Sequence, residues 1–158
     1  MKYLKKYNES VDDKLLELQE FCNSYLAYLI DDGFNIKCNK GNGFLLINIE
    51  KNIKMLSRIN SVTELNNNFI KGLFKWDDIK DDFIPFYNIL SNKYNILEVS
   101  LFCDAISIPW FRQKNPKIVI TSDDILEDKI NDKIDNIQFF SNKKVVNTTL
   151  IHNIIIKI

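Results

Sequence analysis

The chain has one histidine, two arginines, two alanines and three cysteines in 158 residues, with only four glycines and three prolines. A lone histidine, and cysteines that form neither a Cys-x-x-Cys motif nor a Cys/His cluster, exclude the common zinc sites. So little glycine and proline excludes collagen-like and low-complexity classes. No apolar run reaches the ~18 residues that a membrane-spanning helix needs, so no membrane association is expected. Neither charge sign is in excess, with 21 basic and 21 acidic side chains. That balance removes the electrostatic attraction on which broad nucleic-acid or anionic-lipid binding depends.

What is present is enough for a core. Hydrophobic residues make up 46% of the chain, which rules out disorder, and the length is that of one domain. Residues 1–9 read as a flexible N-terminal arm and residues 10–158 as a single α+β domain. Isoleucine, asparagine and lysine number 24, 20 and 19; all three have AT-rich codons, so this bias reflects the genome. Cys22, Cys38 and Cys103 stand 16 and 65 residues apart and read as small buried hydrophobes in a reducing cytoplasm. The N-terminus is basic but lacks an apolar segment, so it is not a secretory signal, and a cytoplasmic location follows.

Periodicity gives the elements. Ser10 can cap a helix in which Val11, Leu15, Leu18, Cys22, Tyr25 and Leu29 form one apolar stripe, flanked by Leu16, Phe21 and Leu26 and ended by Gly33. A hairpin follows: Phe34–Cys38, a turn at Asn39–Gly43, and Phe44–Glu50. Ile53–Ile59 keeps strand parity, and residues 60–74 form a loop. The second helix spans about Asp77–Lys93, with Trp76, Ile79, Phe83, Phe86 or Tyr87, and Leu90 on its apolar face and a kink expected at Pro85. Strands are predicted at Ile96–Cys103, Ile106–Gln113, Lys117–Thr121, Ile134–Phe140 and Thr148–Ile158, with a short acidic helix after Ser122. The order α-β-β-β-α-β-β-β-(α)-β-β lacks the alternation of a doubly wound nucleotide fold. It suits an α+β fold with two amphipathic helices packed on a mostly antiparallel sheet.

Candidate sites are few. The pairs Asp77-Asp78 and Asp81-Asp82 could present carboxylates to a hard cation, but acidic residues are favoured at helix starts, and Lys75 and Lys80 neutralise them. Gly41-Asn42-Gly43 lies between two strands and so is a hairpin turn, without the helix terminus a phosphate loop requires. His152 shares strand parity with Ile154, Ile156 and Ile158 and reads as a structural histidine. No catalytic residue, metal or cofactor is assigned. Trp110, Phe111 and Arg112, after Pro109 on a predicted edge strand, are the candidate protein contacts, with Tyr3 and Tyr7 in the arm. Aromatics and arginine are the usual interface anchors.

The segment Phe74-Lys75-Trp76-Asp77-Asp78-Ile79-Lys80-Asp81-Asp82-Phe83-Ile84-Pro85-Phe86, the opening Met1–Ser10, and the helix end Asp31-Asp32-Gly33-Phe34 with its hairpin resemble short uncharacterised proteins of tailed phages. The resemblance covers about two thirds of the chain and implies no activity, so it carries over no functional residues. The first ten residues also resemble the leader by which large myophages send internal proteins into the prohead. That likeness implies cleavage between Glu9 and Ser10, although the aliphatic residue usual two places before the Glu is Tyr7 here. The expectation is a phage-like protein that binds another protein, of host or virion, and not nucleic acid. One alternative is a packaged head protein that inhibits a host defence. The other is an enzyme or small-molecule binder with a pocket assembled by the fold. Homo-oligomers through strand edges are compatible with zero net charge.

Overall fold

The computed structural model of the protein describes residues 11–51, 72–105, 117–135 and 149–158. The first helix is broken at Leu26 (φ −110°, ψ 25°) into α1 (Val11–Tyr25) and α2 (Ala27–Asp31). Helical hydrogen bonds bridge the break, from Leu26 N–H to Cys22 C=O (2.9 Å) and from Ile30 N–H to Leu26 C=O (3.1 Å). Gly33 follows at φ +88°, and its N–H reaches Ile30 C=O. A side chain would strain that left-handed position. The buried stripe is Leu18, Cys22, Leu26 and Leu29. It therefore passes through Leu26, where the spacing argument puts Tyr25. At about 100° per residue both positions border the sheet, and the leucine has no hydroxyl to keep hydrated.

β1 (Phe34–Lys40) and β2 (Leu45–Lys51) form the expected hairpin. Gly41 N–H bonds Phe44 C=O at 2.8 Å, and a Cβ at Gly41 would collide with the Phe44 ring. A 3-10 turn at Trp76–Asp78 leads into α3 (Lys80–Lys93), which contains Pro85. Pro85 sits at an exposed position, where the carbonyl it leaves unpaired stays near water. Then come β3 (Glu98–Ala105), β4 (Lys117–Ile120), α4 (Ser122–Leu126), α5 (Ile130–Asp135) and β5 (Thr149–Lys157).

Three expectations change. Ile134 opens no strand but lies in α5, where Ile130 and Ile134, one turn apart, are both buried. The short acidic helix is capped by Thr121 in place of Ser122, with the Thr121 hydroxyl accepting from Asp124 N–H. The parity placed His152 beside Ile154, but the β3–β5 register shifts so that Phe102 faces Asn153 while Cys103 faces Ile151. His152 is the extra residue of that bulge, so Ile151 takes the buried face and His152 is half-buried. The predicted strands Ile53–Ile59 and Ile106–Gln113 lie outside the described residues.

The five strands form one antiparallel sheet in the order β1-β2-β5-β3-β4, and the fold is α+β. The last strand occupies the centre. One row of paired residues, Ile36-Ile49-Ile154-Leu101-Ile118, crosses all five strands, and a second runs Cys38-Ile47-Ile156-Val99-Ile120. These rows form one continuous core with Leu18, Cys22, Leu26 and Leu29 of the first helical segment, and with Trp76, Phe83, Phe86, Tyr87 and Leu90 of the second. The alternate residues, Asn35, Asn48, Glu50, Asn153, Glu98 and Lys117 among them, lie on the other face and bond one another. Asn153 donates to Asn48 Oδ1 (3.1 Å), and Lys117 to Glu98 (2.6 Å).

Among the described residues β1 ends the sheet, and two of its outward backbone groups are covered by one side chain. Gln19 of α1 accepts from Cys38 N–H (2.8 Å) and donates to Ile36 C=O (3.0 Å). The primary amide thus pairs with the strand as another peptide group would, and it ties α1 to the sheet edge. Gln19→Ala is expected to cost ~1–2 kcal/mol in urea unfolding, the loss of two partly buried hydrogen bonds. An unchanged midpoint would show that water replaces the glutamine without loss.

Candidate interaction surface

The sequence-level contacts Trp110, Phe111, Arg112, Tyr3 and Tyr7, and the Glu9-Ser10 junction, lie outside the described residues. Within them, exposed aromatic area gathers beside the place where α1 meets α3. Phe21 and Tyr25 of α1 and Tyr28 of α2 follow one another at helical spacing along one border of the core stripe. The Phe21 and Tyr25 rings lie 4.5 Å apart. Phe21 also meets Phe86 of α3 at 5.9 Å and Tyr94 just beyond α3 at 6.2 Å, the latter edge-on. Phe21 is half-buried and forms the floor, while Tyr25 is 47% and Tyr28 76% exposed. Ile89, also exposed, lies between Phe86 and Lys93 on the α3 side.

The rim is charged. Lys93 Nζ donates to Glu17 at 2.8 Å and sits 5.1 Å from the Phe21 ring centre and 5.4 Å from that of Tyr94. The Glu17 carboxylate holds the Lys93 ammonium above its ordinary pKa. Residues 11–32 carry six acidic residues and one lysine, and Glu17, Glu20, Asp31 and Asp32 are exposed. A Lys93–Glu17 ion pair thus borders the aromatic strip, on a helical segment that carries excess acidic charge although the chain as a whole is neutral. Phe21 and Tyr25 were visible in the sequence as apolar positions on the first helix. Only the position of α3 shows that Tyr25 faces outward beside Phe21.

The other candidates resolve into local structure. Asp78 accepts from Lys75 N–H (2.8 Å), closing the turn before α3. Asp77 pairs with Lys80 (3.1 Å) and accepts from Asn131 (3.1 Å). The lysine contact is the first cause holding Asp77 below the usual carboxylate pKa. Asp128, at φ +53°, accepts from Trp76 Nε1 (2.6 Å) and Lys80 Nζ (2.9 Å), which joins the α4–α5 turn to the start of α3. Among the described residues no three or more His, Cys, Asp or Glu side chains are placed to hold a metal ion, and no helix is long and apolar enough to cross a membrane. A shallow pocket of about 280 Å³ opens at the hairpin turn, lined by Lys14, Lys40, Phe44 and Leu45 among others; neither His152 nor an acidic side chain lines it.

No protein-family model matches the chain, and no curated protein or solved structure matches it. The class defined here is therefore structural: an α+β protein with helices on a five-stranded antiparallel sheet and an exposed aromatic strip bordered by an ion pair.

Proposed function

We propose that the protein works by binding another protein through the strip formed by Phe21, Tyr25, Tyr28 and Ile89. The observation that supports this is the exposure of two neighbouring tyrosines beside a phenylalanine floor already ordered by α3. Single exposed apolar residues are ordinary on a folded surface, whereas tyrosines on a preformed apolar floor are the usual anchors of interfaces. The excess acidic charge of residues 11–32 favours a partner surface carrying lysine or arginine. In this reading the likeness of residues 74–86 to tailed-phage proteins makes that partner a host or virion protein, met in the host cytoplasm.

The test begins with capture of partners from source lysate by the tagged full chain. The recovered partner is then titrated against wild type and Tyr28→Ala. Tyr28 is 76% exposed, so folding should be intact by circular dichroism. Affinity is expected to fall about tenfold, ~1.4 kcal/mol, and to weaken further with added salt. Equal affinity for both proteins would remove the strip from the interface.

A further inference from the structure

Cys22 on α1 and Cys38 on β1 are 16 residues apart in sequence, yet their Sγ atoms lie 3.7 Å apart. They are not alike. Cys22 is fully buried and Cys38 half-buried at the edge strand. The two are held in register independently of their own contact, because Gln19, one turn before Cys22, grips the backbone of Cys38 itself. The sulfurs need only close from 3.7 Å to the bond length of about 2.05 Å. Cys103, the third thiol, is fully buried on β3, in register with Ile151 of β5.

We propose that Cys22 and Cys38 form a reversible dithiol–disulfide site, with Cys38 the entry thiol and a low-molecular-weight disulfide the oxidant. The Cys38 thiolate attacks one sulfur of the oxidant, forming a mixed disulfide and releasing one small thiolate, which takes up a proton. Cys22 then gives up its proton and attacks Cys38 Sγ. The protein S–S bond forms, the mixed bond breaks, and the second small thiolate leaves and is protonated. Two protein thiols are oxidised, and one small disulfide is reduced to two thiols. The order follows from access and ionisation. Contact with the Cys22 thiol lowers the pKa of Cys38, against the opposing effect of burial. Contact with Cys38 and then burial raise that of Cys22. As Cys38 ionises, the Cys22 S–H becomes the hydrogen-bond donor to it. The product bond staples α1 to β1, adding a covalent link beside the Gln19 hydrogen bonds and core packing of the reduced protein.

The experiment equilibrates the folded full chain with glutathione and glutathione disulfide at a series of ratios. Free thiols, intact mass and linked peptides are then read. The expected result is the loss of two thiols of three, a mass lower by two hydrogen atoms, a Cys22–Cys38 peptide, and Cys103 still reduced. Cys22→Ser should instead stop at one stable glutathione adduct on Cys38, and Cys38→Ser should leave Cys22 unmodified. The oxidised form should melt about 6–12 °C higher, as a staple closing a short loop in a chain of this size does. Three free thiols at the most oxidising ratio, a persistent adduct on wild-type Cys38, a link to Cys103, or a lower melting point would each overturn the proposal.

Discussion

Ile154→Ala is expected to lower unfolding stability by ~3–4 kcal/mol, a large share of the 5–15 kcal/mol typical of a domain. Ile154 lies at the middle of the central strand with no solvent exposure. It pairs with Ile49 on one side and Leu101 on the other. Truncation removes three carbon atoms from the water-free face and leaves a cavity that two flanking strands and the helices above cannot all close. The neighbouring Ile155→Ala is the control. Ile155 faces the opposite side and is half-buried, between Asn48 and Ser100, so the same atoms removed there should cost about 1 kcal/mol. Urea unfolding of both variants measures the difference. A larger loss at Ile155 than at Ile154 would mean a one-residue register error in β5, which exchanges the two faces.

Asp124→Ala should be the most damaging change to a charged residue among those described here, costing ~2–3 kcal/mol at neutral pH. The side chain is only 11% exposed. One of its carboxylate oxygens accepts from Thr121 N–H (2.7 Å), the Thr121 hydroxyl (2.6 Å) and Lys133 Nζ, so a single group caps α4 and ties it to α5. Burial alone would push its pKa up. The Lys133 ammonium, the Thr121 hydroxyl and the Thr121 amide outweigh that and hold it at about 2.

A carboxyl more acidic in the folded than in the unfolded chain adds its full stability only where the unfolded chain keeps it ionised, and part of it between the two pKa values. The contribution of about 2 kcal/mol is therefore complete above pH ~5 and disappears as pH falls toward and below 2. Wild type should lose stability steeply across that window in acid titrations of the unfolding midpoint. Asp124→Asn should lose less, and an equal slope in both would show that Asp124 is not the group titrating. Among the described residues, Asp77 and Asp128, each depressed first by Lys80, and Glu98, depressed first by Lys117, add to the slope in the same direction. All three are more exposed, so each counts for less.

The expected α+β class, the first helix with its Gly33 stop, the hairpin, and the apolar face of the second helix from Trp76 to Leu90 were all readable from the chain. They are local. A helix stripe is set by residues three and four apart, a strand by alternation, and a tight turn by its glycines. The candidate surface was readable only in its parts. Phe21 and Tyr25 stood out as large apolar residues on the first helix, but whether either faces solvent depends on where α3 lies.

Decisions between distant parts of the chain were of a different kind. Nothing in Ile154-Ile155-Ile156 says which residue faces the core, and nothing in Leu150-Ile151-His152 announces a bulge. Both follow from pairing β5 between β2 and β3. That Gln19 covers a strand edge, that Asp128 receives the Trp76 indole, and that Cys22 meets Cys38 are likewise consequences of which elements become neighbours. The amino-acid sequence by itself determined the elements and the apolar surface each must hide. Only the tertiary structure decided which polar and sulfur groups meet, because those contacts join residues whose separation along the chain carries no periodic signal.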